Sequence, residues 1–182
     1  MSELLFMASD APFAERYNPH EKLLSINEAL ALGITDIPDF MLEEGFDRNQ
    51  PDVILYMDRE IEINPQTNEI EDGNFADDFA IFPFLPQEYF GIHTEKPFCA
   101  NLEWNLYTKD RAENVIAYMR EHLQKTEELE IWRVWLDDTQ VPVFRKKELL
   151  LSELTAEVLQ EIAEADLTIE PPVHYCYKIR RA

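Results

Sequence analysis

Glycine is scarce in this sequence, and the few glycines present exclude the familiar nucleotide-binding loops. Only 4 of the 182 residues are glycine, and no two of them stand at the spacing of a phosphate-binding loop. Walker and Rossmann loops need clustered glycines, because their backbone must approach the phosphates closely. Serine is also sparse, and the Gly-x-Ser-x-Gly elbow of α/β-hydrolases is absent. These absences remove two large classes of enzyme from consideration.

Cysteine is scarce as well, which argues against a disulfide framework or a metal centre. The two cysteines are Cys99 and Cys176, and neither Cys-x-x-Cys nor His-Glu-x-x-His occurs. Small secreted scaffolds carry a denser set of cysteines. We expect two reduced, partly buried thiols in a protein that has no cofactor and no resident metal.

Long apolar runs and a basic leader are also missing. The longest apolar runs, such as 79–85, are far shorter than the roughly 20 residues that a membrane-spanning helix needs. The N-terminal residues Met-Ser-Glu-Leu-Leu-Phe place no basic segment before the apolar ones, which argues against a signal peptide. We therefore expect a cytoplasmic protein that does not contact membranes.

Basic residues are the minority charge, with 16 against 37 acidic ones and a net charge of −21. Clustered lysine and arginine bind nucleic acid and anionic lipid, so neither is an expected partner. Solubility is the simplest reason for such a charge, and mimicry of nucleic acid or docking onto a basic protein is the alternative. Residues 1–97 hold 21 acidic and 5 basic groups, whereas 98–182 hold 16 and 11. This asymmetry predicts an acidic N-terminal lobe that packs on the C-terminal part, with a boundary near Lys96-Pro97.

The N-terminal part shows the patterns of an α/β extension that contains a strand hairpin. Ser25 and Glu28 have the spacing of a capping box for a helix that ends at Gly33. Alternating apolar residues predict a strand over 53–63, with 69–72 returning beside it. Other elements are predicted at 4–8 (strand), 39–44 (helix) and 79–90 (an irregular segment that begins as an edge strand).

Five acidic residues form a cluster before that irregular segment: Glu69, Glu71, Asp72, Asp77 and Asp78. A calcium loop would place acidic residues at alternate positions before a glycine, and that pattern is missing. The cluster is interpreted as a solvated acidic turn.

The C-terminal part predicts the order strand, helix, strand, strand, helix, strand. Strands are expected at 98–107, 129–136, 141–149 and 173–180. The first helix is expected to begin at a capping box of Asp110 and Glu113, and the second, over 156–165, to be capped by Thr155. The short connection 137–140 predicts that the second and third strands form an antiparallel hairpin. This order is that of a ferredoxin-like fold, in which both helices cover one sheet face, so the predicted fold class is α+β.

The opposite sheet face is predicted to be polar and locally basic. If the apolar set of each strand faces the helices, this open face collects Cys99, Asn101, Glu103, Asn105, Tyr107, Arg133, Trp135, Arg145, Lys147, His174, Cys176, Lys178 and Arg180. RNA-recognition domains stack bases on aromatic residues at the middle of this face, and these aromatics are missing, so RNA binding is not predicted. The candidate ligand-binding set is Glu103, Arg133, Trp135, Arg145, His174, Cys176 and Lys178.

Three interpretations of this face compete. In the favoured one it is covered by the acidic N-terminal part or by a second copy of the chain, because arginine stems and aromatics suit a dimer surface. In the second it holds a small anionic ligand. In the third Cys99, His174 and Cys176 form a zinc site or an activated thiol.

The predicted function is a non-catalytic protein-binding or regulatory module that forms a homodimer or binds another protein. One alternative is a small enzyme or anion-binding protein that uses the polar face, through Cys99, Arg133, His174 and Cys176. The other is an inhibitor that imitates nucleic acid to occupy a basic partner.

Overall fold

This computed structural model describes residues 3–57, 64, 66–67, 76–88, 92–104, 107–136, 142–167 and 173–181, and these residues contain eight strands and four α-helices. In chain order the elements are β1 (Glu3–Ser9), β2 (Glu21–Leu24), α1 (Ile26–Ala31), α2 (Asp39–Leu42), β3 (Ile54–Met57), β4 (Ala80–Phe84), β5 (Phe98–Glu103), α3 (Lys109–His122), β6 (Glu128–Trp135), β7 (Val143–Leu150), α4 (Ala156–Ala163) and β8 (Val173–Arg180). The predicted α+β class is confirmed. No helix in the described ranges is both long and apolar enough to cross a membrane.

The chain divides into two compact units, one of residues 1–17 with 71–182 and one of residues 18–70. In the smaller unit, β2 pairs antiparallel with β3, and α1 and α2 contribute to a core around Ile26 and Ile54. The capping box of α1 is confirmed, because Ser25 Oγ accepts from the Glu28 amide and the Glu28 carboxylate accepts from the Ser25 amide.

The strand predicted over 53–63 is confirmed where it is described, and its partner differs from the predicted one. The predicted return strand at 69–72 lies outside the described residues. Instead β2, which sequence patterns did not predict, pairs with β3. The chain leaves α1 through Gly33, whose φ of +80° is a conformation that glycine adopts without strain.

The larger unit is built on a six-stranded sheet with the strand order β4-β5-β1-β6-β8-β7. Neighbours are antiparallel except for β7 and β8, which run parallel. β1 lies in the interior of this sheet, between β5 and β6. The predicted boundary near 97 therefore does not coincide with the division between the two units, because the first strand of the chain completes the sheet of the last strands.

The strand pairing differs from the ferredoxin-like arrangement, although the predicted element order from β5 to β8 is present. The predicted hairpin of β6 with β7 is wrong, since β6 pairs with β1 and β8. β7 instead pairs in parallel with β8. Two parallel strands need a long crossover connection between them, and here that connection contains α4. β1 occupies the place beside β6 that the hairpin would have filled.

α3 and α4 cover one face of the sheet, which we call the helix face. Its core contains Ala112, Val115, Ile116 and Met119 of α3, Leu159 and Ile162 of α4, and Met7, Ala100, Leu102, Leu129, Ile131, Tyr177 and Ile179 of the strands. α4 is capped by Thr155 as predicted. α3 begins one residue before Asp110, and Thr108 Oγ accepts from the Arg111 amide, so the predicted Asp110–Glu113 capping box is wrong.

A buried ion pair joins the start of α3 to the residues just before β4. Arg111 Nη2 lies 2.6 Å from the carboxylate of Asp78, and both side chains are removed from solvent, with exposures of 2% and 0%. Asp78 was predicted to lie in a solvated acidic turn, and that prediction is wrong for this residue. Asp77 beside it is exposed as predicted, and the other three members of the cluster lie outside the described residues.

His122, the last residue of α3, has a buried and neutral side chain. Its Nε2 lies 2.8 Å from Ser9 Oγ, and its ring stacks on Phe13 with 4.1 Å between ring centroids. Burial lowers the pKa of His122 to about 4, and the charge of Lys125 acts in the same direction. Its contacts are those of a structural histidine in the core.

Candidate functional site

The sheet face opposite the helices, which we call the second face, is apolar at its centre. Its buried residues are Leu4, Phe6, Ala8, Cys99, Trp132, Val134, Leu136 and Cys176, with Phe84 and Ile92 packed against them. Phe6 and Trp132 stack in parallel at the middle of this face. The predicted polar sheet face is therefore wrong at its centre, because β1 and β6 are apolar on both sides.

Several residues predicted for the second face lie on the helix face instead. On β6, Trp135 Nε1 donates to the carbonyl of Leu167 at 2.6 Å, and Arg133 pairs with Glu3 at 2.7 Å. Arg133 and Trp135 alternate with the second-face residue Trp132, which places both on the opposite side.

The helix face also holds three further residues that were predicted for the open face: Arg145, Lys147 and Tyr107. Arg145 stacks over the ring of Tyr175, and Lys147 pairs with Glu161 of α4 at 3.0 Å. Tyr107 donates to the carbonyl of Ala156. Asn105 lies outside the described residues. Of the predicted binding set, the structure thus leaves Glu103, His174, Cys176 and Lys178 on the second face.

The two thiols do not form a shared site. Cys99 on β5 and Cys176 on β8 are separated by β1 and β6, so three strand spacings, about 14 Å, lie between them. Burial, with a smaller contribution from Glu130, raises the pKa of each thiol to about 12. The described residues contain no group of three or more His, Cys, Asp or Glu side chains that could hold a metal ion. The predicted zinc or activated-thiol site is not assembled.

Glu103 is also remote from the other candidates. It lies at the β5 end of the second face, accepts from Asn101 Nδ2 at 2.7 Å, and pairs in the sheet with Ala80 of the edge strand β4. His174 and Lys178 are on β8, near the opposite edge. One ligand of ordinary size cannot contact both groups.

Residues 92–97 cross the β6–β8 part of the second face. Thr94 Oγ1 donates to Glu130 at 2.7 Å, and Lys96 Nζ lies 3.1 Å from Glu128 and 2.7 Å from Asp10. These residues belong to the predicted N-terminal part, so the chain itself contributes to the cover of this face.

Two carboxylates of β6 neutralise most of the predicted basic character. Glu128 accepts from Lys96, Lys178 and Arg180. Partial burial opposes its ionisation, but these three cations outweigh that effect and hold the pKa of Glu128 below its usual value. Glu130 is buried and accepts from Trp132 Nε1 at 2.8 Å as well as from Thr94.

A cavity of about 370 Å³ opens beside these groups. It is lined by Asp10, His93, Thr94, Glu95, Lys96, Glu130, Trp132, Lys146 and Lys178. Three lysines and three carboxylates meet there, so the lining is polar but carries no strong net charge. Lys146 differs from the other two lysines, since its ammonium lies over the rings of Trp132 and Phe144 at about 5.9 and 5.8 Å.

His174 lies next to this cavity in an aromatic cluster with His93 and Phe144. The His93 and His174 ring centroids are 5.6 Å apart, and Phe144 meets both rings edge to face. His174 is buried, and its Nε2 accepts from the Trp135 backbone amide at 3.3 Å. An acceptor role at Nε2 fixes the neutral tautomer with hydrogen on Nδ1. The ring is held as part of the sheet packing.

β7 offers a second candidate surface, because among the described strands it is the last of the sheet and pairs with β8 alone. Its apolar ends are exposed, with 45% of Val143, 38% of Phe144 and 44% of Leu150 accessible. Its middle is charged, with the sequence Arg-Lys-Lys-Glu from 145 to 148. At the other edge of the sheet, β4 contains Pro83 and is met by a bridge from Arg16.

Comparison with known proteins adds no relative. No family model matches the chain, and no curated protein and no solved structure matches it either.

Sequence patterns missed three features of these surfaces: the Glu128–Glu130 pair, the contribution of residues 92–97, and the edge position of β7. The alternation of Glu128 and Glu130 with Leu129 and Ile131 was the available signal for the first. No local signal marks β7 as an edge, because its neighbour is set by a crossover through α4.

Proposed function

We propose that this chain is a non-catalytic protein-binding module whose partner adds a strand to the outer edge of β7. The observation that carries the proposal is an eight-residue strand at the end of the sheet with exposed apolar residues at both ends. Edge strands bind extended segments through backbone hydrogen bonds, and their side chains select the partner. Within the described residues, no strand occupies this edge.

The direction of one backbone group shows which positions of β7 are available. The Leu150 amide donates to the Glu153 carboxylate at 2.7 Å, and we take this single hydrogen as turned away from β8. Backbone groups alternate between the two sides of a strand, so the amides of Phe144, Lys146 and Glu148 also point away from β8. These three positions can donate to and accept from an added strand.

The charge of β7 restricts what can pair with it. Lysine on an edge strand protects against indiscriminate strand pairing. Lys147 is engaged by Glu161, and the ion pairs of the described residues leave Lys146 without a carboxylate partner. A strand with a carboxylate opposite Lys146 is therefore favoured over a neutral or basic one.

The non-catalytic part of the proposal is supported by what the reactive side chains do. Both thiols are buried with pKa values raised to about 12, which keeps them protonated at neutral pH. His122 and His174 are buried with structural hydrogen bonds. A thiol that is held protonated lacks the nucleophilic form that attack on a substrate needs.

Photo-crosslinking tests the proposal at the edge itself. A photoreactive phenylalanine analogue at Phe144 is expected to crosslink a partner protein in cell extract, whereas the same analogue at the exposed Tyr17 is expected not to. The partner is then identified and purified, and its affinity is measured for the unmodified chain and for Lys146→Pro. Proline removes an outward amide that β8 does not use, so binding should fail while the fold survives. Equal affinity for both chains would refute the proposal.

A second candidate function is binding of a small anion in the cavity, favoured by Lys146 at its rim. Phosphate and citrate are suitable probes, with binding followed by titration calorimetry. Lys146→Gln should weaken binding about tenfold, and Lys109→Gln, on the distant start of α3, should not change it. Absence of heat with either anion, or equal binding by both variants, would eliminate this candidate.

A further inference from the structure

The sequence of β7 is complementary to itself, and we infer that the strand added at its edge is β7 of a second copy of this chain. This inference rests on the function proposed above and names its partner. The features that carry it are the exposed apolar ends of the strand, Lys146, which has no carboxylate partner among the described residues, and the exposed carboxylate of Glu148, which lies 3.4 Å from the half-exposed Arg180 of the same copy and can exchange that partner for Lys146 of the second copy.

The outward positions restrict the possible registers. In an antiparallel pair, residues whose backbone groups point at each other must be opposite one another. The backbone groups that point away from β8 are those of Phe144, Lys146, Glu148 and Leu150. A residue of this set in one copy must therefore face a residue of the same set in the other copy. Even-numbered residues also lie on the second face, and this pairing keeps the second faces of both copies on the same side.

One register matches both charge and apolar character. With Lys147 on the two-fold axis, Lys146 faces Glu148 of the second copy, and Phe144 faces Leu150 of the second copy. Each contact occurs twice by symmetry. The register shifted by one outward pair would place Lys146 opposite itself and Arg145 opposite Lys147, and these like charges disfavour it.

The residues nearest the two-fold axis have contacts that are compatible with this pairing. Lys147 meets its own copy there, but each ammonium is paired with Glu161 and lies over the ring of Tyr177 at 5.1 Å, on the helix face. The Leu150 amide would exchange Glu153 for the carbonyl of Phe144 in the second copy. The product is a continuous twelve-stranded sheet with the helices of both copies on one side.

Sedimentation velocity across a concentration series measures the assembly. The unmodified chain is expected to form dimers, and Lys146→Glu or Glu148→Lys alone should weaken them about tenfold to hundredfold, because two opposite-charge contacts become like-charge contacts. The double variant K146E/E148K restores the contacts in reverse and should recover the affinity to within about threefold. Lys109→Glu and Glu121→Lys make the same charge changes at the two ends of α3 and should dimerise like the unmodified chain.

Cysteine substitutions locate the axis. Residues at a non-hydrogen-bonded antiparallel position have Cα atoms about 4.5 Å apart, which is within reach of a disulfide. Lys147→Cys is expected to form an intermolecular disulfide under mild oxidation, whereas Lys146→Cys and Arg145→Cys are not. Linkage through position 146 instead would overturn the register.

A chain that stays monomeric at about 0.1 mM would overturn self-pairing. A different protein that crosslinks to position 144 and, once purified, binds Lys146→Pro more weakly than the unmodified chain would then still support the proposed function with another partner. If position 144 crosslinks neither a copy nor another protein, the proposed function fails as well.

Discussion

The buried pair of Asp78 and Arg111 gives the most demanding test of this fold. Asp78→Asn keeps the shape of the side chain and removes the carboxylate charge that lies 2.6 Å from the buried guanidinium of Arg111. Removing one member of a buried pair costs about 3–5 kcal/mol, because the remaining charge has lost its compensation but not its burial. A domain is stable by only about 5–15 kcal/mol, so this loss is a large share of the total.

Urea unfolding followed by tryptophan fluorescence measures the effect, since Trp104, Trp132 and Trp135 all lie in the unit that contains the pair. The matched control is Glu161→Gln at the exposed pair with Lys147, where the side chains are 56% and 41% accessible. An exposed pair contributes at most about 1 kcal/mol.

A double-mutant cycle separates the pair from the burial of each residue. Asp78→Ala and Arg111→Ala should each be strongly destabilising, and the double variant should lose at least about 2 kcal/mol less than their sum. If Asp78→Asn costs no more than Glu161→Gln, then the two groups are not buried together and the placement of β4 against α3 is incorrect.

Two further predictions concern buried groups of the same unit. Because the pKa of His122 is lowered to about 4 from 6.5, the unfolded chain binds a proton between these pH values that the folded chain does not. The free energy of unfolding should therefore fall by about 2–3 kcal/mol as pH drops from 6.5 to 4. His122→Gln should remove this component of the pH dependence. An identical pH profile in His122→Gln would contradict the assignment. Cys99 and Cys176 should resist a thiol reagent at pH 8 in the folded chain and react fully in denaturant, because burial holds both thiols protonated; rapid modification of either one in the folded chain would contradict its burial.

Local patterns were sufficient for elements whose signals lie within a few residues. β8 begins and ends at the predicted residues, and α1 and α4 begin at the predicted caps Ser25 and Thr155. Capping geometry and alternation depend on neighbours in the chain, so they can be detected without knowledge of the fold. The Asp110–Glu113 spacing failed because Thr108, two residues earlier, offered a competing cap.

Strand pairing could not be predicted in the same way, because it depends on residues far apart in the chain. β1 is apolar on both sides, which is the pattern of a central strand, but alternation does not tell which strands flank it. The ferredoxin-like order assumed that 98–182 completes its own sheet. The insertion of β1 beside β6 removed the hairpin and left β7 to pair with β8.

The candidate site was affected by the same limit. On β6, Trp132 and Trp135 lie on opposite faces, and Trp135, which was predicted for the open face, lies on the helix face. Both alternating sets of β6 contain large apolar residues, so burial alone does not assign them. Reversal of β6 and β7 moved Arg133, Trp135 and Arg145 away from His174 and Cys176, and of the three arginines predicted for this basic face only Arg180 remains on it.

The basic residues that remain near β7 explain why this edge of the sheet keeps a positive charge in a chain of net charge −21. Lys96 and Lys178 lie within reach of Glu128, and Lys147 lies within reach of Glu161. Lys146 is on β7, one strand farther from β6 than Lys178, and its ammonium lies over the rings of Trp132 and Phe144. Its ammonium lies on the second face without a carboxylate partner among the described residues, and the amide of the same residue points to the outer edge. A partner strand that supplies a carboxylate two residues from an apolar side chain satisfies both groups together, and Glu148 and Leu150 of the same strand have that spacing.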